Sequence, residues 1–155
     1  YEIIKERIEK QGASGRKFDL ANTGEKKINK LDTYSQLFNI FYINIAKPVT
    51  IFEGPLDAFL FKNSVGNSRL HKHFPIDVEV RNWFDDDKDG RKKALSKLEN
   101  GESVFLWGRL KHDLSLPNRP KWDLNDVMLY LKENSLKVPN FEVYFSSDPL
   151  DAIDL

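Results

Sequence analysis

Val-Thr-Ile-Phe-Glu-Gly-Pro-Leu-Asp-Ala, residues 49–58, is the stretch whose reading decides the fold of this 155-residue chain. A β-prone run ends abruptly in a carboxylate, Glu53, and a glycine. Pro55 follows at the place where its fixed φ and missing N–H suit the first turn of a helix. A strand over 49–53 leading into a helix from Pro55 to about Lys62 is the opening half of a strand–helix–strand unit. The same grammar returns at Trp-Phe-Asp-Asp-Asp-Lys-Asp-Gly-Arg-Lys-Lys-Ala, residues 83–94. Here too an apolar run ends in acids, and a helix-forming stretch comes next.

Working outward, Asn63–Gly66 reads as a short extended piece, and Val78, Val80 and Asn82–Phe84 as the next strand. A helix of about ten residues after Gly90 should stop at Asn100–Gly101, a typical helix terminus. Ser103–Trp107 reads as a buried strand, 108–121 with Pro117 and Pro120 as a long loop, and Asp123 as the cap of a helix running to about Asn134. Phe141–Phe145 alternates as a last strand. Upstream, 2–11 reads as a helix and 12–32 as a polar, glycine-bearing loop. Tyr34, Leu37, Phe38, Phe41, Tyr42 and Ile45 lie on one helical face. Alternating strands and helices predict an α/β fold, a parallel sheet with helices on both faces, plus a small N-terminal appendage. The expected division is an N-terminal helical and basic appendage at 1–46, the α/β domain at 47–146 and an acidic tail at 147–155.

Composition narrows the function classes. Twenty-four Lys and Arg balance twenty-four Asp and Glu, which argues against a dedicated nucleic-acid coat. The charges are nonetheless segregated: basic residues gather at 16–30, 69–73 and 88–93, acids at the two motifs and the C-terminal end. The absence of cysteine rules out disulfides and thiolate metal sites and fits an intracellular, cytoplasmic protein. No run approaches a membrane span, so no membrane partner is expected. The chain opens on Tyr1 rather than Met, which reads as a piece of something longer.

The acids carry the chemistry. In parallel sheets ligands sit beyond the carboxyl ends of the strands. Glu53 and Asp85 should therefore face one crevice, with Asp57 on the following helical turn and Asp87 two residues past Asp85. The donors are all oxygen, which favours Mg²⁺ or Mn²⁺. Helix capping alone would explain an isolated Asp57 or Asp89, but not the crowding of Asp85, Asp86, Asp87 and Asp89. Asp85–Gly90 also spells the start of a calcium loop, yet the twelfth position, which needs a bidentate Glu, is Ser96.

Glu-Gly-x-x-Asp-Ala after a hydrophobic strand, then Phe-Asp-x-Asp-x-x-Gly-Arg-x-x-Ala, resembles the TOPRIM domain of bacterial-type primases, topoisomerases and some nucleases. The match is most similar to phage and bacterial-type DNA primases. It extends through Leu-Phe-Asn-Ile at 37–40, Gly-Glu-Ser-Val-Phe-Leu-Trp at 101–107 and Lys-Trp-Asp-Leu-Asn-Asp at 121–126. The resemblance implies a TOPRIM-like, Rossmann-type sheet over 47–146, with 1–46 ending a preceding polymerase subdomain. It assigns Glu53, Asp85 and Asp87 to catalysis, and Glu53, Asp57, Asp85, Asp87 and Asp123 to metal. Asp86 stands where the family usually has Gly, either adding charge to the site or facing solvent.

The implied activity is metal-dependent nucleotidyl transfer, making RNA primers from ribonucleoside triphosphates on single-stranded DNA beside a replicative helicase. If the source is a virus, the compartment is the host cytoplasm. Arg16, Lys17, Lys88 and Arg91 are candidates to hold the triphosphate, with a solvated helix face as the alternative for each. Trp122, in a polar stretch, is the candidate for base stacking, whereas Trp83 and Trp107 read as core. Whether Glu53 is a base or only a ligand stays open. So do two other classes: a TOPRIM nuclease or topoisomerase fragment, and a non-catalytic DNA-binding module.

Overall fold

The computed structural model describes residues 39, 42–66, 74 and 77–155, all within one compact unit, Gln36–Leu155. Arg16, Lys17, the expected helix over 2–11 and most of the one over 34–45 lie outside the described residues. The described end of the latter, Tyr42 to Ala46, runs as a short helical residue and turns rather than as α-helix. Asn39 stands at φ 69°, a left-handed conformation that a continuous helix does not admit.

The element order is β1 (Val49–Phe52), α1 (Pro55–Leu60), β2 (Ser64–Gly66), β3 (Val80–Trp83), α2 (Lys88–Glu99), β4 (Ser103–Phe105), α3 (Trp107–Leu114), α4 (Leu124–Glu133) and β5 (Phe145–Ser146). These strands form one sheet in the order β2-β1-β3-β4-β5. Pairing is parallel from β2 to β4, and β5 joins the edge antiparallel. The fold is thus α/β with a mostly parallel sheet. All four residues of β1 are buried, as a central parallel strand covered on both faces requires.

Register sorts the side chains onto two faces. Phe52 pairs with Trp83, and both pack with Phe105, Ala58 of α1 and Leu124, Val127 and Leu131 of α4. Trp83 stacks on Phe105 with ring centroids 3.6 Å apart. On the other face, Phe84, Val104 and Leu106 pack with Ala94 and Leu98 of α2. Helices α1 and α2 therefore cover opposite faces. Asn100 and Gly101 end α2 as expected, with Gly101 at φ 72°.

Two stretches differ from the sequence expectation. The expected loop over 108–121 begins as helix α3, whose residues Trp107, Leu110 and the partly buried Leu114 recur at helical spacing towards the core. Trp107 leaves the strand to start this helix, and its Nε1 donates to the Phe84 carbonyl at 2.7 Å. The expected strand over 141–145 is a 3₁₀ turn, Phe141–Tyr144, ahead of the two-residue β5. Phe141 and Tyr144 are buried while Val143 is 62% exposed. That is the i, i+3 rhythm of a three-residue turn, not a period of two.

The last residues fold back onto the domain. Asp148 caps a 3₁₀ helix, Pro149–Asp154, by accepting from the Leu150 amide at 2.9 Å. Arg109 of α3 binds both Asp151 and Asp154, the latter at 2.7 Å. Ala152 and Leu155 pack against the α2 side of the core. The acidity of this stretch is spent on one arginine.

Candidate functional site

From β1 the chain passes through α1 to β2 on one side, and then returns to place β3 on the other side of β1. The position beyond the carboxyl ends of β1 and β3 is thus a topological switch point, the usual ligand position in such sheets. Glu53 follows β1 directly, and Asp85 lies two residues beyond β3. The sequence pairs these two acids, and the fold sets them on adjacent strands.

Each acid has a partner of its own. Glu53 is ion-paired with Lys93, which reaches across from α2. Asp85 is bound by Lys121 at 2.6 Å. Hydrogen bonds to Glu53 and Asp85, respectively, push the Lys93 and Lys121 ammonium groups above the ordinary lysine range. Lys121 also feels Asp87 and Asp123, and Lys93 feels Asp87 and Asp89, so two lysines knit the acids into one electrostatic cluster.

Asp57 sits in the first turn of α1, buried, and accepts the Asn125 amide of α4 at 3.1 Å. Burial pushes its carboxyl up to about 6, against the pull of that hydrogen bond, and the nearby charges of Asp123 and Asp85 push the same way. Asp87 caps α2, accepting from the Gly90 amide at 2.8 Å. Asp123 caps α4 in a reciprocal box with Asp126, accepting that residue's amide at 2.8 Å. Capping and membership of the cluster therefore coincide in Asp87 and Asp123. Among the described residues no three Asp, Glu or His side chains form a preformed ligand group; Glu53 and Asp85 face ammonium groups instead.

Gly90 permits this arrangement, though not by turning the chain. A Cβ there would lie 2.0 Å from the Asp85 carbonyl oxygen, so only glycine lets α2 start this close to the β3 end. Gly54 likewise is no sharp hinge: its φ of −104° is open to any residue.

Two expectations need correction, those for Asp86 and Trp122. Asp86 neither faces solvent nor adds free charge to the mouth. It is 0% exposed and binds Arg91 at 2.9 Å and Lys111 at 2.8 Å. The chain bends at Asp86 and Asp87 after β3, and Asp86 is buried while Asp85 and Asp87 are only partly so. Arg91 accordingly gives its Nε to Asp86, while Lys88 remains exposed on the first turn of α2. Trp122 is no stacking platform: its ring is 1% exposed and sits in the core, under Arg119 at 3.7 Å, with Nε1 donating to the Pro117 carbonyl. The sequence reading missed Lys93, Lys111 and Lys121. Lys121 alone carried a signal, standing directly before Trp122 and the capping Asp123.

Comparison with protein-family models, with curated proteins and with solved structures finds no match for this chain.

Proposed function

We propose that this chain is the catalytic core of a DNA primase of the TOPRIM type, joining ribonucleotides on a single-stranded DNA template. The observation that carries this reading is the placement of Glu53 and Asp85 just beyond the ends of adjacent parallel strands, at the switch point, with an ammonium group seated on each. A surface whose acids already attract cations, with oxygen donors only, fits Mg²⁺ or Mn²⁺.

Glu53, Asp85 and Asp87 would hold the metal, with Asp57 and Asp123 beside them. When bound, it would neutralise triphosphate charge and favour the alkoxide form of a ribose 3′-hydroxyl. The protein's own part is positioning and electrostatics, which dominate phosphoryl transfer. The 3′-hydroxyl of one ribonucleotide gives up its proton to solvent water, its oxygen bonds to the α-phosphorus of the next, and pyrophosphate leaves with the broken bond's electrons. Lys93 and Lys121, each about half exposed, are long enough to turn from carboxylate to phosphate oxygens. Lys88 adds positive charge at the rim.

The test is to incubate the protein with single-stranded DNA, all four ribonucleoside triphosphates and Mg²⁺. Short RNA products are expected. Shortened DNA would make it a nuclease instead, and DNA binding without either product would make it a non-catalytic module.

A further inference from the structure

Among the described residues Asp86 is the one fully buried carboxylate that the proposed reaction does not use, and it is bound by two cations. Its side chain accepts from Arg91 in the first turn of α2 and from Lys111 in the last turn of α3. Its own amide donates to the Trp122 carbonyl at 2.8 Å, one residue ahead of the Asp123 cap of α4. One residue thus ties the β3–α2 connection to α2, to α3 and to the segment that leads into α4.

These ties lie between the acids that matter. Asp85 and Asp87 flank Asp86 in sequence and have other partners, Lys121 and the Gly90 amide. The bond to Trp122 comes from the Asp86 main chain, so only the ties to Arg91 and Lys111 depend on its side chain. We propose that Asp86 is a positioning residue: its carboxylate, ion-paired to α2 and α3, is a tether that fixes the β3–α2 connection and with it Asp85 and Asp87. This rests on the metal-centre reading given above and adds to it a device that the family pattern, with Gly at this position, does not contain. The charge also fits. With Arg91 and Lys111 against it, Asp86 brings no net repulsion to its neighbours, and a carboxylate can accept from both cations while buried.

Lys111 is the residue on which to test the tether, because among its described contacts it bonds the Asp86 carboxylate and none of the other acids. The sign of the effect separates positioning from simple charge. If charge alone counted, Lys111→Met would remove a cation and tighten divalent binding. A tether predicts the reverse, since Mn²⁺ and Mg²⁺ demand well-placed oxygens.

The experiment is Mn²⁺ binding, followed by electron paramagnetic resonance at pH 7, for wild type, Lys111→Met, Lys111→Arg and Lys111→Gln, each checked for folding by circular dichroism. Affinity should fall at least fivefold in Lys111→Met and return to within twofold of wild type in Lys111→Arg. Lys111→Gln, which keeps a donor without charge, should fall between them and carries the test if the Met variant does not fold. Affinity in Lys111→Met or Lys111→Gln equal to or tighter than wild type would overturn the tether and leave the metal centre standing. No Mn²⁺ binding by wild type would remove the metal centre, and the tether with it.

Discussion

The two acidic strand ends look alike in sequence and differ in how they deal with crowded carboxylates. Beyond β1, Glu53 meets the half-exposed Lys93, and Asp57 is buried against the start of α4 with no cation in direct contact. Beyond β3, three consecutive aspartates each have a distinct partner: Lys121, the Arg91–Lys111 pair, and the Gly90 amide. The first mouth relieves repulsion by favouring a proton on Asp57. The second does so by pairing Asp85 and Asp86 with cations and tying Asp87 to a helix-start amide. A single motif grammar, strand then acid then helix, thus hides two electrostatic solutions, and the buried ion pairs of the second make it the stiffer one.

The largest effect should come from breaking that stiffness. Replacing both Arg91 and Lys111 by Met leaves Asp86 buried without a cation, at a cost of about 3–5 kcal/mol. Urea denaturation measures it. A loss below 1 kcal/mol would mean that Asp86 reaches water readily and that the two mouths are equally soft.

Next comes Asp57→Asn, which sharpens the account of the first mouth. The folded-state carboxyl is raised from 3.8 to about 6, so the folded state binds its proton more tightly than the unfolded one. The contribution of Asp57 to stability is therefore fullest below about pH 4 and is lost as pH rises through about 6. The Asn variant lacks that loss. It should match wild type near pH 4 and exceed it above pH 7 by up to about 3 kcal/mol. Melting curves across pH 4–8 that stay parallel would contradict this.

Gly90→Ala should follow, at about 1–3 kcal/mol, because its Cβ must displace either the Asp85 carbonyl or the start of α2. The smallest stability effects belong to the exposed pairs. Lys93→Met and Lys121→Met should each stay within about 1 kcal/mol of wild type in thermal melts. Asp123→Asn should be silent in stability, since Asn caps as well as Asp. In the proposed reaction it should still cut primer synthesis at least tenfold, about 1.4 kcal/mol of barrier. Wild-type synthesis across Mg²⁺ concentrations would reduce Asp123 to a cap.

How much of this was legible in the sequence depended on the range of the interaction. The elements from Val49 to Glu99 were readable because local signals agreed: Pro55 at a first turn, acids at strand ends, and Gly101 at a helix stop. The start of α3 was hidden because Ser103–Trp107 reads as one apolar run, and only the contact of Trp107 with the Phe84 carbonyl shows where strand gives way to helix. Trp122 misled because its neighbours in sequence are polar while those in space are the α4 core. The acids of the site were legible as residue types. Their partners were not, since Lys93 meets Glu53 across 40 positions and Lys111 meets Asp86 across 25. The burial of Asp86 was not legible either, because β3 ends at Trp83 and the chain bends at Asp86 and Asp87 before α2.

The most direct measurement is a Mn²⁺ titration followed by paramagnetic broadening of assigned side-chain and amide signals, run with and without a ribonucleoside triphosphate. Binding without nucleotide should be weak, because such ions keep several waters and lean on substrate phosphates. The expected result is broadening centred on Glu53, Asp85 and Asp87 that strengthens when the triphosphate is present, with the Lys121 signal shifting as its ammonium leaves Asp85. Signals from these residues that stay unchanged in both states would contradict the metal-dependent reading of the site.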